Sequence, residues 1–391
     1  MADWPIEELG GKTVLETANT PMMDKLSETA EIGMVRTVPK GMSPGSDTAN
    51  LSVLGYNPKK YYSGRSPLEA LSIGVDMKDT DVALRCNIVT LTEDEDRYED
   101  RKIIDHSSSE IATEDSAVLL DAVKKELERD GYKFYVGTSY RHLLIIDNGN
   151  VMPLVQPHDV LGQVVGDKLP EDPVLRDMMV RSYDILVNHP INIERKKKGL
   201  NPANSLWFWG AGTKPALTSF EGKTKRKGAM ISAVDLLKGI AVGCEMKVIL
   251  VDGANGGLNT NYEGKAKAAV DTLINDGTDF VYVHVEAPDE MGHQGSVERK
   301  VKSVEYLDER IIKPIYEGVI GAGEDIRMLI MPDHPTPIEI RTHTDEPIPY
   351  MLYDSTKTLG EDPHLPYSEK NAESKGVFVE DGYCLIDKLL V

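Results

Sequence analysis

Two segments in the last third of the chain combine strand-forming residues with side chains that bind metals. Each segment is a run of mainly apolar residues, followed within a few positions by aspartate and histidine. The runs cover residues 280–285 and 328–331, and the side chains that follow them are Asp289, His293, Asp333, His334 and His343. Ligands in open α/β sheets bind beyond the carboxyl ends of the strands, and aspartate with histidine suits Mn²⁺, Zn²⁺ or Mg²⁺. The sequence therefore predicts a metal site at one edge of a sheet.

The number of candidate ligands indicates how many ions the site holds. Five ligands exceed what one four-coordinate ion needs when one position stays open for a substrate. Two ions that share the site fit the number better, as in enzymes that stabilise both ends of a displacement reaction. The alternative, that each residue is an ordinary helix cap or surface side chain, has to account for all five at once.

A serine near the start of a predicted helix is the second candidate site. Ser46 follows the turn Pro44-Gly45, and Asn50 lies one helical turn later. Backbone N–H groups and the positive end of a helix favour a phosphate at this position. In isolation the pattern indicates a helix cap. Beside a two-metal site, the Ser46 hydroxyl becomes a candidate nucleophile, and the Asn50 amide is expected to point at the same phosphate.

Strand and helix patterns divide the chain into two parts. Residues 1–78 and 205–391 alternate strand-like and helix-like segments, which predicts an α/β domain with a mainly parallel sheet and helices on both faces. Residues 79–204 contain a strand, an amphipathic helix and a hairpin pattern. They predict a smaller inserted α+β domain.

Polar side chains in and beside the inserted part suit a phosphorylated acid as ligand. Arg65, Arg85 and Arg141 carry guanidinium groups, which bind carboxylate and phosphate through two hydrogen bonds. Asp105 and His106 are adjacent and are candidates for general acid/base catalysis near neutral pH. The alternatives are solvated surface arginines and a serine-rich loop that caps the next helix.

Composition excludes some classes of partner and location. The chain has 44 basic and 64 acidic residues, a formal charge of −20, so neither nucleic acid nor an anionic membrane is expected as the main partner. Three widely spaced cysteines, Cys86, Cys244 and Cys384, predict reduced thiols and a cytoplasmic protein. No apolar run approaches the roughly 20 residues of a membrane span. The oligomeric state cannot be inferred from the sequence.

Several blocks in order make the chain resemble the archaeal-type, cofactor-independent (2,3-bisphosphoglycerate-independent) phosphoglycerate mutases of the alkaline phosphatase superfamily. The resemblance runs nearly end to end. The blocks are Gly11-Lys12-Thr13, 18–24, 44–52, 61–70, Pro288-Asp289 with Gly292-His293, 333–337 and 341–344. The resemblance implies an isomerase of glycolysis and gluconeogenesis that interconverts 3- and 2-phosphoglycerate through a phosphoserine intermediate at two divalent metals. Mn²⁺ is the expected ion, with Mg²⁺, Co²⁺ and Zn²⁺ as alternatives.

The same resemblance implies roles for individual residues. Ser46 corresponds to the nucleophile. One metal is expected at Asp289, His293 and His343, and the other at Asp333, His334 and Ser46. Asp105, His106 and Arg141 are carried over to the inserted phosphotransferase domain, which is expected to bind the glycerate.

One departure from the family concerns its first strand. In the family, a hydrophobic strand ends in a Gly-Asp-Gly-Met-Ala-Asp motif, whose first aspartate binds the second metal. The first three residues here, Met1-Ala2-Asp3, match the end of that motif. Without this strand the sheet is expected to have exposed inner edges. The protein is then expected to retain metal weakly and to have poor activity. Two alternatives therefore stay open: another dimetal phosphatase or phosphomutase of the superfamily, and a non-catalytic binder of metal or metabolite.

Overall fold

A computed structural model describes residues 1–358 and 365–391. Its strands are β1 (Glu31–Val35), β2 (Val82–Leu91), β3 (Ile103–Asp105), β4 (Tyr132–Thr138), β5 (Arg141–Ile146), β6 (Ser205–Thr213), β7 (Gly228–Ile231), β8 (Lys247–Ile249), β9 (Phe280–Val283), β10 (Arg327–Ile330), β11 (Ile348–Asp354) and β12 (Phe378–Val379). Its α-helices are α1 (Val14–Thr17), α2 (Pro21–Ser27), α3 (Ser46–Val53), α4 (Pro58–Tyr61), α5 (Arg65–Ser72), α6 (Thr113–Leu127), α7 (Pro173–Leu186), α8 (Pro190–Lys197), α9 (Phe220–Thr224), α10 (Asp235–Gly243), α11 (Tyr262–Asn275), α12 (Ala287–His293), α13 (Val297–Leu307), α14 (Lys313–Gly321), α15 (Glu369–Ser374) and α16 (Leu385–Leu389).

The chain divides into two compact units. Unit 1 comprises Met1–Tyr62 and Leu217–Val391, and unit 2 comprises Ser63–Ala216. The boundaries predicted from the sequence, after residues 78 and 204, lie inside unit 2. The difference arises because α5 and β6 both pack against β2 in unit 2, although strand and helix patterns alone do not show which sheet an element joins.

Unit 1 contains two separate sheets. The order of one is β8-β7-β9, with both pairs parallel. The order of the other is β10-β11-β1-β12, in which β11 runs antiparallel to both neighbours. Three of the five strand pairs described in this unit are parallel. Helices α10 and α11 contact the first sheet, and α2, α15 and α16 contact the second.

A cavity of about 830 Å³ is lined by β9 and β10. No ladder joins these two strands in the part of the chain that the structure describes, so each is the edge of its sheet. The cavity is lined by apolar side chains such as Val281 and Leu329, and it extends to Asp289 and Asp333. The predicted metal site therefore opens onto this cavity.

Unit 2 is built around one long strand. All ten residues of β2 are buried, because β2 pairs with β5 and β6 and, near its end, with β3. Helices α6 and α7 pack on this sheet and complete a core that includes Leu120, Met179 and Trp207. Helix α7 starts at the Asp172 cap, which accepts from two backbone amides, with Pro173 at the first helical position.

The cysteines and the helix lengths relate to the expectations about thiols and membrane spans. Cys86 and Cys244 are buried free thiols and Cys384 is an exposed one. Within residues 1–358 and 365–391, no helix has both the length and the apolar character to span a membrane.

Candidate active site

The predicted metal ligands of unit 1 follow the ends of β9 and β10. Asp333 and His334 follow β10 after two residues, whereas Asp289 and His293 lie on α12. Gly292 between these two residues is typical of a loop, yet the segment is helical. Pro288 at the start of the helix favours helical geometry, and a spacing of four residues puts both side chains on one helical face.

Three side chains form the first ligand group. Nε2 of His293 lies 3.0 Å from Nε2 of His343 and 3.2 Å from Oδ2 of Asp289. Oδ1 of Asp289 lies 3.4 Å from Nε2 of His343. One ligand atom from each of the three residues lies within 4.8 Å of the other two. These atoms come from α12 and from the loop between β10 and β11, so tertiary folding assembles the group.

The first group has the spacing that a small divalent cation requires. Ligand atoms about 2.0–2.1 Å from a tetrahedral ion are roughly 3.3 Å apart. The distance between the two histidine nitrogens, 3.0 Å, and that from His293 to Oδ2 of Asp289, 3.2 Å, are close to that value. His293 is held from its other nitrogen, Nδ1, which lies 2.9 Å from the Arg341 carbonyl oxygen. A ligating histidine is commonly oriented in this way.

Asp289 and His293 of the first group stabilise each other's charged forms. Burial raises the pKa of Asp289, but hydrogen bonds to His293 and His343 outweigh it and bring that pKa well below its ordinary value. The hydrogen bond to Asp289 raises the pKa of His293 to about 9. Asp289 is therefore an anionic ligand at neutral pH, and it attracts positive charge to this position.

Ser46, Asp333 and His334 form the second ligand group. The Ser46 hydroxyl oxygen lies 3.1 Å from Nε2 of His334, which is 3.5 Å from Oδ2 of Asp333. Ser46 is the first residue of α3, Gly45 is the cap, and no side chain caps this helix. Ser46 is therefore not an N-cap, and its hydroxyl points to His334. The ring centres of His334 and His343 are 4.0 Å apart, so the two groups adjoin.

The Asn50 amide is engaged by protein groups. Its nitrogen donates to the Ser46 carbonyl oxygen at 2.8 Å and to Oδ2 of Asp333 at 2.9 Å, and its oxygen accepts from the Tyr282 hydroxyl. An amide has two N–H donors, so both are used. Asn50 thus orients Asp333, and this geometry leaves no amide hydrogen for the phosphate contact that was expected.

Three supporting residues were not identified from the sequence. The Thr336 hydroxyl donates to Oδ1 of Asp289. Lys300 is fully buried and donates to the Thr336 carbonyl oxygen and to Asp3, each at 2.8 Å. Tyr282, on β9, is the partner of Asn50. A lysine among the apolar positions of α13 was the only local signal of this network.

The structure gives Asp105 a structural environment. Its carboxylate accepts from the Ser107 amide at 2.8 Å, the Ser109 amide at 2.6 Å and the Asn201 side chain at 2.9 Å. Burial opposes ionisation, but these hydrogen bonds prevail and lower the pKa of Asp105 to about 2. A carboxylate that stays ionised near neutral pH is a poor proton donor, so this geometry supports the alternative of a loop-capping residue.

The arginines predicted to bind an acid have different surroundings in unit 2. Arg85 is buried, and its guanidinium pairs with both oxygens of Glu69. Arg65 is exposed and lies 3.5 Å from the same carboxylate. The Arg85 guanidinium also lies 4.6 Å above the Trp209 ring, because these residues are opposite each other in the β2–β6 ladder. Arg141 is paired with Asn87 in the β2–β5 ladder.

Aromatic contacts connect these arginines to His106. The Trp209 ring lies 5.5 Å from His158, which lies 6.0 Å from His106. His106 is 5.8 Å from Tyr140, and the Arg141 guanidinium is 5.4 Å from the Tyr140 ring. The predicted residues of unit 2 thus lie along one continuous set of contacts. His158 completes it and was missed, because a histidine in a Pro-His-Asp turn carries no distinctive sequence signal.

Comparison with known proteins identifies the family. The model of the family described as 2,3-bisphosphoglycerate-independent phosphoglycerate mutase matches residues 27–192. A protein of that name from Methanosarcina barkeri is 47% identical over 92% of this chain and 89% of its own. A relative from Geobacter sulfurreducens, named as a probable 2,3-bisphosphoglycerate-independent phosphoglycerate mutase, is 44% identical over 100% of this chain and 97% of its own. The chain belongs to this family.

Solved structures agree with this membership. A protein from Pyrococcus horikoshii has a TM-score of 0.82 and 30% identity, over 100% of this chain and 94% of its own. The cofactor-independent phosphoglycerate mutase of Thermoplasma acidophilum has a TM-score of 0.65 and 26% identity, over 100% of this chain and 96% of its own. The predicted resemblance and the alkaline-phosphatase-like α/β fold class are confirmed.

Proposed function

We propose that this member of the family interconverts 3-phosphoglycerate and 2-phosphoglycerate through a phosphoserine at Ser46. The observation that carries the proposal is the position of the Ser46 hydroxyl, 3.1 Å from Nε2 of His334. The His334 ring adjoins that of His343, which belongs to a three-residue group that could hold a metal ion. A serine needs an adjacent base or a metal ion to become a nucleophile. Family membership supplies the substrate.

Two divalent cations are proposed at the two ligand groups, with Mn²⁺ as the expected ion. Asp289, His293 and His343 hold one, and Asp333, His334 and Ser46 hold the other. Such cations lower the pKa of a bound hydroxyl and offset the charge of a transferring phosphoryl group. Nitrogen and carboxylate donors accept Mn²⁺, Zn²⁺ and Co²⁺, so the donor set fits the proposal. Asn50 and Thr336 orient the two carboxylates by hydrogen bonds.

The residues of the chain account for the bonds that form and break. The Ser46 hydroxyl loses its proton to water, and its oxygen forms a bond to phosphorus as the bond from phosphorus to a glycerate oxygen breaks. The released oxygen takes a proton, for which His106 is the proposed donor. The glycerate then presents its other hydroxyl, His106 takes back the proton, and that oxygen displaces Ser46 from phosphorus. Ser46 regains a proton from water when it is released at the end of the cycle. Each cycle leaves the enzyme unchanged and moves the phosphoryl group by one carbon.

The position of His106 supports a role in proton transfer. Its imidazole is partly exposed, and its ring contacts are with Tyr140 and His158. In the part of the chain that the structure describes, its ring nitrogens make no hydrogen bond, so both are available to a ligand. Its backbone is held through the carbonyl oxygen, which accepts from Asn87. Arg65, Arg85 and Arg141 are proposed to bind the glycerate in unit 2.

Phosphorus NMR of the reaction tests this function against the alternatives. Purified protein is incubated with 3-phosphoglycerate and Mn²⁺, with and without prior treatment with a chelator. Appearance of 2-phosphoglycerate only with metal supports a mutase, and release of inorganic phosphate supports a phosphatase. Unchanged 3-phosphoglycerate, with metal shown by elemental analysis to be bound, would leave the non-catalytic binder as the better account.

A further inference from the structure

His158 is an imidazole to which no role has been given. It lies on a 3-10 turn, Pro157–Val160, and 45% of its side chain is exposed. Its ring packs edge-on against Trp209, at 5.5 Å and 79°. Among residues 1–358 and 365–391, no group lies within hydrogen-bond distance of its ring nitrogens, and the nearest carboxylate oxygen, of Asp159, is 3.8 Å from Nε2. The imidazole is held by packing, while its polar atoms stay open to a ligand.

Two guanidinium groups and a second imidazole lie near His158. His106 and Trp209 contact its ring, and Arg85 and Arg65 are close enough to act on its charge. Partial burial lowers the pKa of His158, and these three basic groups lower it further, against the opposing effect of Asp159. An anion bound here would offset that repulsion and accept hydrogen bonds from the ring.

We propose that His158 is a specificity-determining residue that works with His106 to bind the carboxylate of the substrate. This inference rests on the proposed function. The phosphoryl group is proposed to bind at Ser46 and the candidate metal ligands of unit 1, among them Asp289 and His293. The remaining anionic group of a phosphoglycerate is its carboxylate. One nitrogen of His158 and one of His106 suit its two oxygens, and the second nitrogen of His106 is left for the proton transfer.

Trp209 provides the physical basis for this arrangement. Its ring is nearly buried, and its indole N–H donates to Oδ1 of Asn87 at 3.1 Å. Asn87 in turn donates to the His106 carbonyl oxygen at 3.3 Å. One hydrogen-bonded set, anchored in the sheet, thus fixes the position of both histidines: His158 by contact with Trp209 and His106 through its backbone. Preorganised donors of this kind discriminate a ligand that has the partner group from one that lacks it.

The experiment compares two phosphate esters that differ in the carboxylate. Binding of 3-phosphoglycerate and of glycerol 3-phosphate is measured by calorimetry for the wild type, His158→Ala and His158→Gln, together with KM and kcat of the mutase. His158→Ala is expected to weaken 3-phosphoglycerate binding and raise its KM about tenfold or more, because loss of a hydrogen bond to a charged group lowers affinity by about this factor. Binding of glycerol 3-phosphate is expected to change less than about twofold. His158→Gln keeps an N–H donor and should recover part of the loss.

A matched control is available in the same unit. His189 caps α8 by accepting from the Ile191 amide at 3.3 Å, and His189→Asn preserves such a cap. This variant should bind both esters as the wild type does. The inference is overturned if His158→Ala binds 3-phosphoglycerate as tightly as the wild type does. It is also overturned if the substitution lowers the affinity for both esters by the same factor, or if the wild type binds the two esters with equal affinity. Failure of the proposed function is seen separately, as binding of 3-phosphoglycerate without formation of 2-phosphoglycerate.

Discussion

The hydroxyl oxygen of Ser46 and Nε2 of His334 are 3.1 Å apart, although 288 positions separate them in the chain. Ser46 is at the start of α3, and His334 follows β10. This contact places a potential nucleophile beside the only histidine of the second ligand group. It also distinguishes Ser46 from the ordinary helix cap that its local sequence equally indicated, since its side chain caps no backbone amide.

Replacement of Ser46 by alanine tests the nucleophile directly. Ser46→Ala is expected to lower kcat/KM by at least about a thousandfold, because loss of a nucleophile removes the covalent route. Labelled substrate should transfer phosphate to the wild type at Ser46 and not to the variant. Ser52→Ala, on the same helix, removes a buried hydroxyl that donates to the Thr37 carbonyl oxygen. It should lose about 1–2 kcal/mol of stability and keep its turnover.

Asn50 is expected to act through Asp333. Asn50→Ala removes the donor to Asp333 Oδ2, so metal affinity or activity should fall about 10- to 100-fold, as for other residues that orient metal ligands. Tyr282→Phe removes only the hydroxyl that donates to the Asn50 amide oxygen, and it should lower metal affinity and activity less. Competition with a chelating dye measures the affinity. Equal losses in the two variants, or none in Asn50→Ala, would argue against this role.

The buried pair of Asp3 and Lys300 is predicted to be important for stability. Nζ of Lys300 lies 2.8 Å from Oδ2 of Asp3, and the two side chains are 0% and 1% exposed. Lys300→Met leaves a buried carboxylate without its counter-charge, at a cost of about 3–5 kcal/mol. Asp3→Asn combined with Lys300→Met should recover much of that loss. Urea unfolding provides the comparison, and a stable single variant would show that the pair contributes little.

Asp105 is predicted to stabilise unit 2 without taking part in proton transfer. Its pKa in the folded chain is about 2, below the ordinary 3.8. The ionised carboxylate therefore stabilises the folded state relative to the unfolded chain. That contribution is fully present above pH 3.8 and is lost as the pH falls through about 2. For this partly exposed group, Asp105→Asn should cost about 1 kcal/mol at pH 6 and less at pH 3.

Enzyme kinetics distinguishes this structural role from the general acid/base role expected for Asp105. The pH profile of kcat should keep its shape in Asp105→Asn, because a loop-capping residue contributes no proton to the reaction. Disappearance of one limb of the profile in Asp105→Asn, with a normal profile in the His189→Asn control, would restore Asp105 to the catalytic set.

Local sequence was sufficient for the class of fold and for selecting the candidate metal ligands that the structure brings together. Asp333 and His334 directly follow a short apolar run, and strand direction alone places such residues at the carboxyl edge of a sheet. The predicted strands at β9 and β10 are present, and Ser46 does begin a helix. These features depend on neighbours within a few positions, which is why pattern and turn chemistry predict them.

Tertiary structure decided how these residues are used. Whether Asn50 binds a phosphate or orients Asp333 depends on Tyr282 and Asp333, more than 200 positions away. Asp105, at the end of β3, caps the following loop and accepts from the distant Asn201. The role proposed for His158 depends on Trp209 and His106, which lie beside it. The open edges of β9 and β10 likewise follow from strand pairing. Side-chain partners and strand neighbours are long-range choices made by packing, and a local pattern does not contain them.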